Sequence, residues 1–154
     1  MSDTPWQGDA CSLVDAFRSG ERSPVEELDA TLATIDSSEL NAFTWLDADA
    51  ARAQAATADV SLPFGGVPMG VKELTPVAGW PETHCSLAFD GKPYDFTATH
   101  VTRLLDAGAV AVGQCNASEF GGLNVSVNRL HGVTHNPWQH GRTAGGSSGG
   151  SAAA

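Results

Sequence analysis

The sequence predicts an α/β protein with a mixed β-sheet and flanking helices. The first 60 residues contain helical segments with capping signals, and a helical pattern at 97–107 runs directly into an apolar run of strand length. The 154 residues include 42% apolar side chains and 17 glycines, which is the composition of an ordinary globular domain.

Two helices are predicted at the start of the chain. The first is expected to begin with Ser12 as its N-cap and to end at Gly20, which suits the left-handed position after a helix. The second has Ser23 as its cap, Pro24 in its first turn, and Glu26 completing an S-x-x-E capping box. These local signals predict an N-terminal helical region.

The next elements alternate between strand and helix. Residues 42–46 predict a short strand, and Asp47 is placed to cap an alanine-rich helix. Residues 65–74 predict a buried strand interrupted by glycines, 97–107 a helix, and 109–115 an apolar strand. The last pair forms an αβ unit, which is typical of a parallel or mixed sheet.

The charge of the chain excludes several classes of ligand. The 18 acidic and 8 basic residues give a net charge of -10, which repels phosphate, so nucleic acid is not expected to bind directly. No apolar run approaches the roughly 20 residues of a membrane span, and MSDTPWQGDA lacks the basic and apolar regions of a signal peptide. We therefore expect a cytoplasmic protein that does not contact a membrane.

The distribution of charge predicts two regions. Residues 1–60 contain 12 acidic and 3 basic side chains, whereas residues 61–154 contain 6 and 5. The second region has far fewer charges than the roughly 25% of a complete domain. We therefore predict an acidic helical region at 1–60 and the beginning of a larger core at 61–154. The three cysteines lack CxxC spacing and are expected to be free thiols.

Lys72 is the first residue with a chemical interpretation. It is one of two lysines in the chain and interrupts a predicted strand, where burial disfavours the charged ammonium form. A neutral lysine acts as a base. The alternatives are a lysine that extends to solvent from a strand end, or one that pairs with Glu73.

The segment GGSSGGS at 145–151 is the second candidate feature. Its glycines allow close approach of backbone to a ligand, and its hydroxyl and N–H groups suit a polar substrate. The helix-forming run SAAA follows at once, so the segment is expected at a helix N-terminus. The lysine of a Walker A loop is absent, which excludes the usual nucleotide site.

A nucleophile elbow is an alternative interpretation of this segment, because Ser147 and Ser148 both satisfy G-x-S-x-G. The elbow of an α/β-hydrolase requires a strand directly before it, whereas residues 138–144 are polar and turn-like. Its acid and histidine should also follow the serine, and only seven residues follow Ser147. The sequence therefore disfavours this alternative.

Three ordered motifs resemble the N-terminal part of the amidase signature family. GGVPMGVKE resembles the strand with the catalytic lysine, and VTRLLDAGAVAVGQCNASEFG resembles the helix, strand and G-K-x-N-x-x-E-F segment. HNPWQHGRTAGGSSGGSAAA resembles the N-P-W to G-G-S-S-G-G-S signature. The resemblance implies the N-terminal portion of the amidase signature fold, incomplete on its own and truncated before the nucleophile segment.

The resemblance also implies roles for individual residues. Lys72 takes the role of the catalytic lysine, and Ser147 that of the bridging serine, which family members hold after a cis peptide bond. Gly145, Gly146 and Ser148 are assigned to substrate binding, with local support as the other role for Ser148. The nucleophile is a third serine in a D-x-G-G-S type segment roughly two dozen residues further on, which this chain does not contain.

The implied activity is hydrolysis of an amide C–N bond through an acyl-enzyme, with no cofactor and no metal. The expected partners are a small-molecule amide substrate and the remainder of the amidase polypeptide or a complementary chain; a homodimer stays open. The isolated chain is expected to be inactive. The other function class is a truncated fragment kept for binding or structure without catalysis.

Several residues depart from the family pattern or have simpler interpretations. Glu73 and Leu74 replace a common Asp-Asn, Gln114 replaces a lysine, and Ala144 replaces a proline, which disfavours a component of a tRNA-dependent amidotransferase. Two further sets are expected to be loop histidines rather than metal ligands and packing tryptophans rather than a ligand cage: His131, His135 and His140, and Trp45, Trp80 and Trp138.

Overall fold

The computed structural model describes residues 4–154. In chain order its elements are α1 (Ala10–Ser19), α2 (Pro24–Ser37), β1 (Phe43–Leu46), α3 (Ala48–Ala56), β2 (Pro68–Lys72), α4 (Thr99–Asp106), β3 (Val110–Cys115), a 3-10 turn (Glu119–Gly121), β4 (Val127–Asn128), β5 (Gly132–Val133), β6 (His135–Asn136), β7 (Gln139–Thr143) and α5 (Gly149–Ala153).

These residues divide into two units. The first contains the described residues up to Ser37, together with Asp47–Met69 and Thr102–Val112. The second contains Ser38–Leu46, Gly70–Val101 and Gly113–Ala154. The candidate functional residues Lys72 and Ser147 both belong to the second unit.

In the first unit, α1 begins earlier than the sequence predicts. Asp9 is its N-cap, because the Asp9 carboxylate accepts the backbone N–H of Ser12 at 2.8 Å. The prediction of Ser12 as the N-cap is therefore wrong by one turn. The predicted end is confirmed, since Gly20 follows the helix with a φ of 77°.

The predicted capping box of α2 is confirmed. Glu26 N–H donates to Ser23 Oγ at 3.2 Å, and Ser23 N–H donates to Glu26 Oε2 at 2.8 Å. Asp47 also precedes α3 as predicted, although its side chain makes no capping hydrogen bond. The core of this unit is aliphatic and aromatic, and includes Leu13, Val14, Phe17, Leu28, Leu32, Ala51, Ala55, Val110 and Val112.

The predicted mixed sheet is confirmed. Strand β3 lies between β1 and β2, and β1 runs antiparallel to β3 with Phe43 opposite Cys115. Strand β2 runs parallel to β3, since Val110 N–H donates to Val67 O at 2.8 Å and Glu73 N–H donates to Cys115 O at 3.0 Å. Every residue of β3 is buried, as expected for the central strand.

Strand β2 is less buried than predicted. Only Val71 is buried within it, and Lys72 is half-buried. The prediction of a buried strand is wrong because β2 is an edge strand, hydrogen-bonded to β3 on one side.

Two short hairpins precede the glycine-rich loop. Strand β4 pairs with β5, and β6 pairs with β7, both antiparallel. Strand β7 occupies the segment predicted to be turn-like, so that prediction is wrong. Trp138 is 94% exposed and does not pack, whereas the rings of Trp45 and Trp80 pack as predicted with their centroids 5.1 Å apart.

Candidate active site

Lys72 and Ser147 meet in the second unit. Lys72 is the last residue of β2, and Ser147 lies in the loop between β7 and α5. Their side chains are hydrogen-bonded, with Lys72 Nζ 2.6 Å from Ser147 Oγ. Both residues are half-buried, so the pair is partly accessible. The two residues that the sequence singled out by separate motifs are thus in direct contact.

The backbone around Ser147 is held from two other segments. The Ser147 carbonyl oxygen accepts Ser118 N–H at 3.1 Å and Ser126 Oγ at 3.3 Å. The Gly146–Ser147 peptide bond is cis, the configuration that the resemblance implies. Gly145 precedes it with a φ of 86°, in the left-handed region that favours glycine.

The residues assigned to substrate binding flank Ser147. Gly146 and Ser148 are exposed, and Gly145 is half-buried. Ser148 stands at the N-cap position of α5 but makes no capping hydrogen bond with its side chain. Their assignment to substrate binding stays a prediction.

Several glycines of the loop are required by packing within the chain. A Cβ atom on Gly146 would lie 2.5 Å from Val125 N, and one on Gly150 would lie 2.5 Å from Ala42 O. Gly150 N–H donates to Asn116 O at 2.9 Å. Helix α5 begins at Gly149, so the predicted position of the loop at a helix start is confirmed.

Sequence reasoning missed the partnership of Glu73 with His131. Glu73 is buried, and its Oε1 accepts Thr83 Oγ1 and Cys85 N–H and lies 2.9 Å from His131 Nε2. A buried carboxylate requires such partners, so the acidic residue directly after a strand lysine was the available signal. The alternative in which Lys72 pairs with Glu73 is replaced by this arrangement.

The environment of Glu73 keeps it ionised. Burial alone raises the pKa of this carboxyl, but hydrogen bonds with His131, Thr44 and Thr83 outweigh burial and lower the pKa to about 2. Glu73 is therefore a buried anion directly beside Lys72 in the sequence.

The other histidines and the cysteines have structural roles. His131 lies in a turn, as expected, but His135 and His140 lie on β6 and β7 rather than in loops, with their ring centroids 3.9 Å apart. All three cysteines are free thiols, as predicted. Burial raises the pKa of the Cys85 thiol to about 12, which makes it a poor nucleophile at neutral pH.

Within residues 4–154, no group of three or more His, Cys, Asp or Glu side chains is arranged to hold a metal ion. In the same range, no helix is long and apolar enough to cross a membrane.

A family model described as Amidase matches residues 26–154. The chain belongs to the amidase signature family. Among curated proteins, a glutamyl-tRNA(Gln) amidotransferase component from Acidobacterium capsulatum, its A chain, is 42% identical over 150 residues, which cover 92% of this chain and 32% of that protein. The amidase fold predicted from the sequence is thereby confirmed.

Solved amidase signature structures are similar along nearly the whole chain. A structure of 6-aminohexanoate cyclic dimer hydrolase has 33% identity and a TM-score of 0.88, covering 95% of this chain and 31% of that one. Peptide amidase from Stenotrophomonas maltophilia has 29% identity and a TM-score of 0.86, covering 96% and 33%. The chain therefore spans about a third of the length of these relatives.

The relatives of this amidase family chain include hydrolases and a component of an amidotransferase. The departures at Glu73, Leu74, Gln114 and Ala144 therefore do not separate it from the amidotransferase relatives, contrary to the expectation from the sequence. In the structure, Gln114 is buried and donates from Nε2 to Pro81 O at 2.9 Å, which is a structural contact.

Proposed function

We propose that this chain supplies the lysine base and the bridging serine of an amidase that hydrolyses an amide through an acyl-enzyme. The nucleophilic serine comes from a segment outside the chain. The observation that carries the proposal is the 2.6 Å contact between Lys72 Nζ and Ser147 Oγ. A lysine and a serine in hydrogen-bond contact are the two ends of a proton relay.

The relay moves protons in a fixed order. Neutral Lys72 accepts the proton of Ser147 Oγ, and Ser147 Oγ accepts the proton of the nucleophile as the nucleophile attacks the amide carbonyl carbon. The tetrahedral intermediate then expels the amine, which takes a proton back through Ser147. Water cleaves the acyl-enzyme by the same route. The hydrogen bonds from Ser118 and Ser126 to the Ser147 carbonyl support this role, because they hold the relay serine in place.

We assign the substrate side of the site to Gly145, Gly146 and Ser148. These residues flank Ser147, and Gly146 and Ser148 are exposed. The substrate is a small-molecule amide, and the partner is the remainder of the polypeptide or a complementary chain. The acidic region 1–60, the core region 61–154 and a cytoplasmic location stay predictions.

An amidotransferase component is the second candidate, because curated relatives at about 40% identity bear that name. The two candidates differ in the fate of ammonia: a hydrolase releases it to solvent, whereas an amidotransferase delivers it to a second substrate. A non-catalytic fragment predicts no hydrolysis under any condition, and an elbow hydrolase predicts that Lys72 is dispensable.

Sequencing the gene beyond the codon for Ala154 tests the proposal first. We expect a D-x-G-G-S type segment roughly two dozen residues beyond Ser147. The product that contains this segment, the complete enzyme, is then assayed for ammonia release from a panel of amides that includes glutamine. Hydrolysis that requires both Lys72 and the new serine supports the proposal. An active product without such a serine contradicts it.

A further inference from the structure

We propose that Glu73 and His131 are positioning residues that hold Lys72 in its contact with Ser147. The inference rests on the proposed function and assigns a task to a pair of residues that does not touch the reacting atoms. It follows from how tightly the Glu73 side chain is bound and from where its partners lead in the second unit.

Glu73 anchors the end of strand β2 beside Lys72. Its backbone N–H donates to Cys115 O at 3.0 Å, so the residue stays attached to the sheet. Its Oε1 accepts Thr83 Oγ1, accepts Cys85 N–H at 3.2 Å and lies 2.9 Å from His131 Nε2. Successive residues of a strand point to opposite faces, so this anchor leaves the face of Lys72 free for Ser147.

The second partner of the pair leads back to the serine. His131 N–H donates to Asn128 Oδ1 at 2.6 Å, and Asn128 Nδ2 donates to Asn116 Oδ1 at 2.8 Å and to Ala117 O at 2.9 Å. The next residue, Ser118, donates its N–H to the Ser147 carbonyl. Asn128 and Asn116 are buried, so these bonds are shielded from water.

The hydrogen bonds thus form a closed circuit with two routes between the lysine and the serine. One route is the direct contact of Lys72 with Ser147, and the other runs through Glu73, His131, Asn128 and the segment 116–118. The direct contact changes during proton transfer, whereas the second route does not take part in it. The second route therefore keeps the two side chains at a constant separation, and a displacement of about 1 Å in such geometry costs up to about 100-fold in rate.

The test uses substitutions that preserve side-chain size. Glu73→Gln removes the charge, Glu73→Asp keeps the charge but shortens the side chain, and His131→Gln replaces the imidazole. Glu82→Gln is the matched control, because Glu82 Oε1 lies 3.0 Å from His84 Nε2 in a partly exposed carboxylate–imidazole pair of the same unit.

The first readout is the lysine itself. In a Lys92→Arg background Lys72 is the only lysine, so the resonance of a 13C label at Lys72 Cε is unambiguous. We expect Glu73→Gln and His131→Gln to shift this resonance and to weaken the NOE between Lys72 ε protons and Ser147 β protons. Glu82→Gln should leave both unchanged.

The second readout is catalysis by the complete enzyme. Glu73→Gln and His131→Gln should lower kcat about 10- to 100-fold with KM unchanged, and Glu73→Asp should recover part of the loss. The proposal is overturned if the resonance, the NOE and kcat of both variants match those of Glu82→Gln. If Glu73→Gln does not fold, His131→Gln decides. Failure of the proposed function is recognised separately, because Lys72→Ala would then keep full activity.

Discussion

Lys72 Nζ and Ser147 Oγ lie 2.6 Å apart, although 75 positions separate the two residues in the sequence. The lysine comes from the edge strand β2 and the serine from the loop before α5. Hydrogen bonds from Ser118 and Ser126 fix the serine backbone, and the buried Glu73 fixes the strand end next to the lysine. The contact is therefore supported on both sides by the fold of the second unit.

Lys72→Ala should abolish most of the activity of the complete enzyme. Removal of a general base costs typically 10²- to 10⁴-fold, and the half-buried methylenes contribute little to the fold. The measurement is kcat for amide hydrolysis, with circular dichroism to establish that the variant is folded. Lys92→Ala, which alters an exposed lysine of the same unit, is the control and should keep wild-type activity. Full activity in Lys72→Ala would rule out the lysine mechanism.

The two adjacent serines should differ in their effect on the rate. Ser147→Ala should lower kcat strongly, but less than Lys72→Ala, because a water molecule can take part of the place of the lost hydroxyl. Ser148→Ala should be mild, because the Ser148 side chain is exposed and makes no capping hydrogen bond. Matched hydrolysis rates provide the comparison. A larger loss in Ser148→Ala than in Ser147→Ala would show that the relay is assigned to the wrong serine.

Ionised Glu73 should make the stability of the fold depend on pH in the acid range. Its pKa is lowered from 4.5 to about 2 in the folded state. The resulting stabilisation is fully present above the unfolded value of 4.5 and is lost as the pH falls through about 2. Urea unfolding at pH 7, 5 and 3, followed by tryptophan fluorescence at sub-micromolar concentration, should show this loss. It should be smaller in Glu73→Gln and unchanged in Glu82→Gln; equal slopes in Glu73→Gln and wild type would contradict the assignment.

Gly150→Ala should destabilise the second unit. The added Cβ would lie 2.5 Å from Ala42 O, and overpacking of this kind costs about 1–3 kcal/mol. Gly122→Ala is the matched control, because Gly122 has a φ of -79° and its Cβ would have Glu119 O, at 3.6 Å, as its nearest neighbour. Urea midpoints of the two variants measure the difference. Equal midpoints would mean that Gly150 is not required by packing.

The isolated chain should self-associate. Most of its exposed large apolar side chains lie in the second unit: Leu87, Phe89, Phe96, Phe120, Leu123, Val127, Val133 and Trp138. Surfaces of this kind associate in water. Light scattering during size-exclusion chromatography should show a mass that rises with concentration, and Leu87→Ser with Leu123→Ser should reduce it. A monodisperse monomer with cooperative unfolding would be the opposite result.

Local signals in the sequence determined most of the elements. The capping box of Ser23 and Glu26, the end of α1 at Gly20 and the helix after the glycine-rich loop all depend on residues within four positions of each other. The ordered motifs around Lys72 and Ser147 identified the family for the same reason, since each motif is contiguous. Helix N-caps remained ambiguous where two acceptors were available, and Asp9 rather than Ser12 caps α1.

Only the tertiary structure decided which distant residues became partners. Glu73 and His131 are 58 positions apart, and neither periodicity nor a motif connects them. The exposure of Trp138 and the partial burial of β2 likewise depend on hairpin geometry and on strand order. The sequence by itself determined the elements and the reactive pair, because short-range hydrogen bonds and side-chain periodicity are local. The partners of the buried carboxylate follow from how the chain closes long loops, because desolvation requires a partner without specifying which residue supplies it.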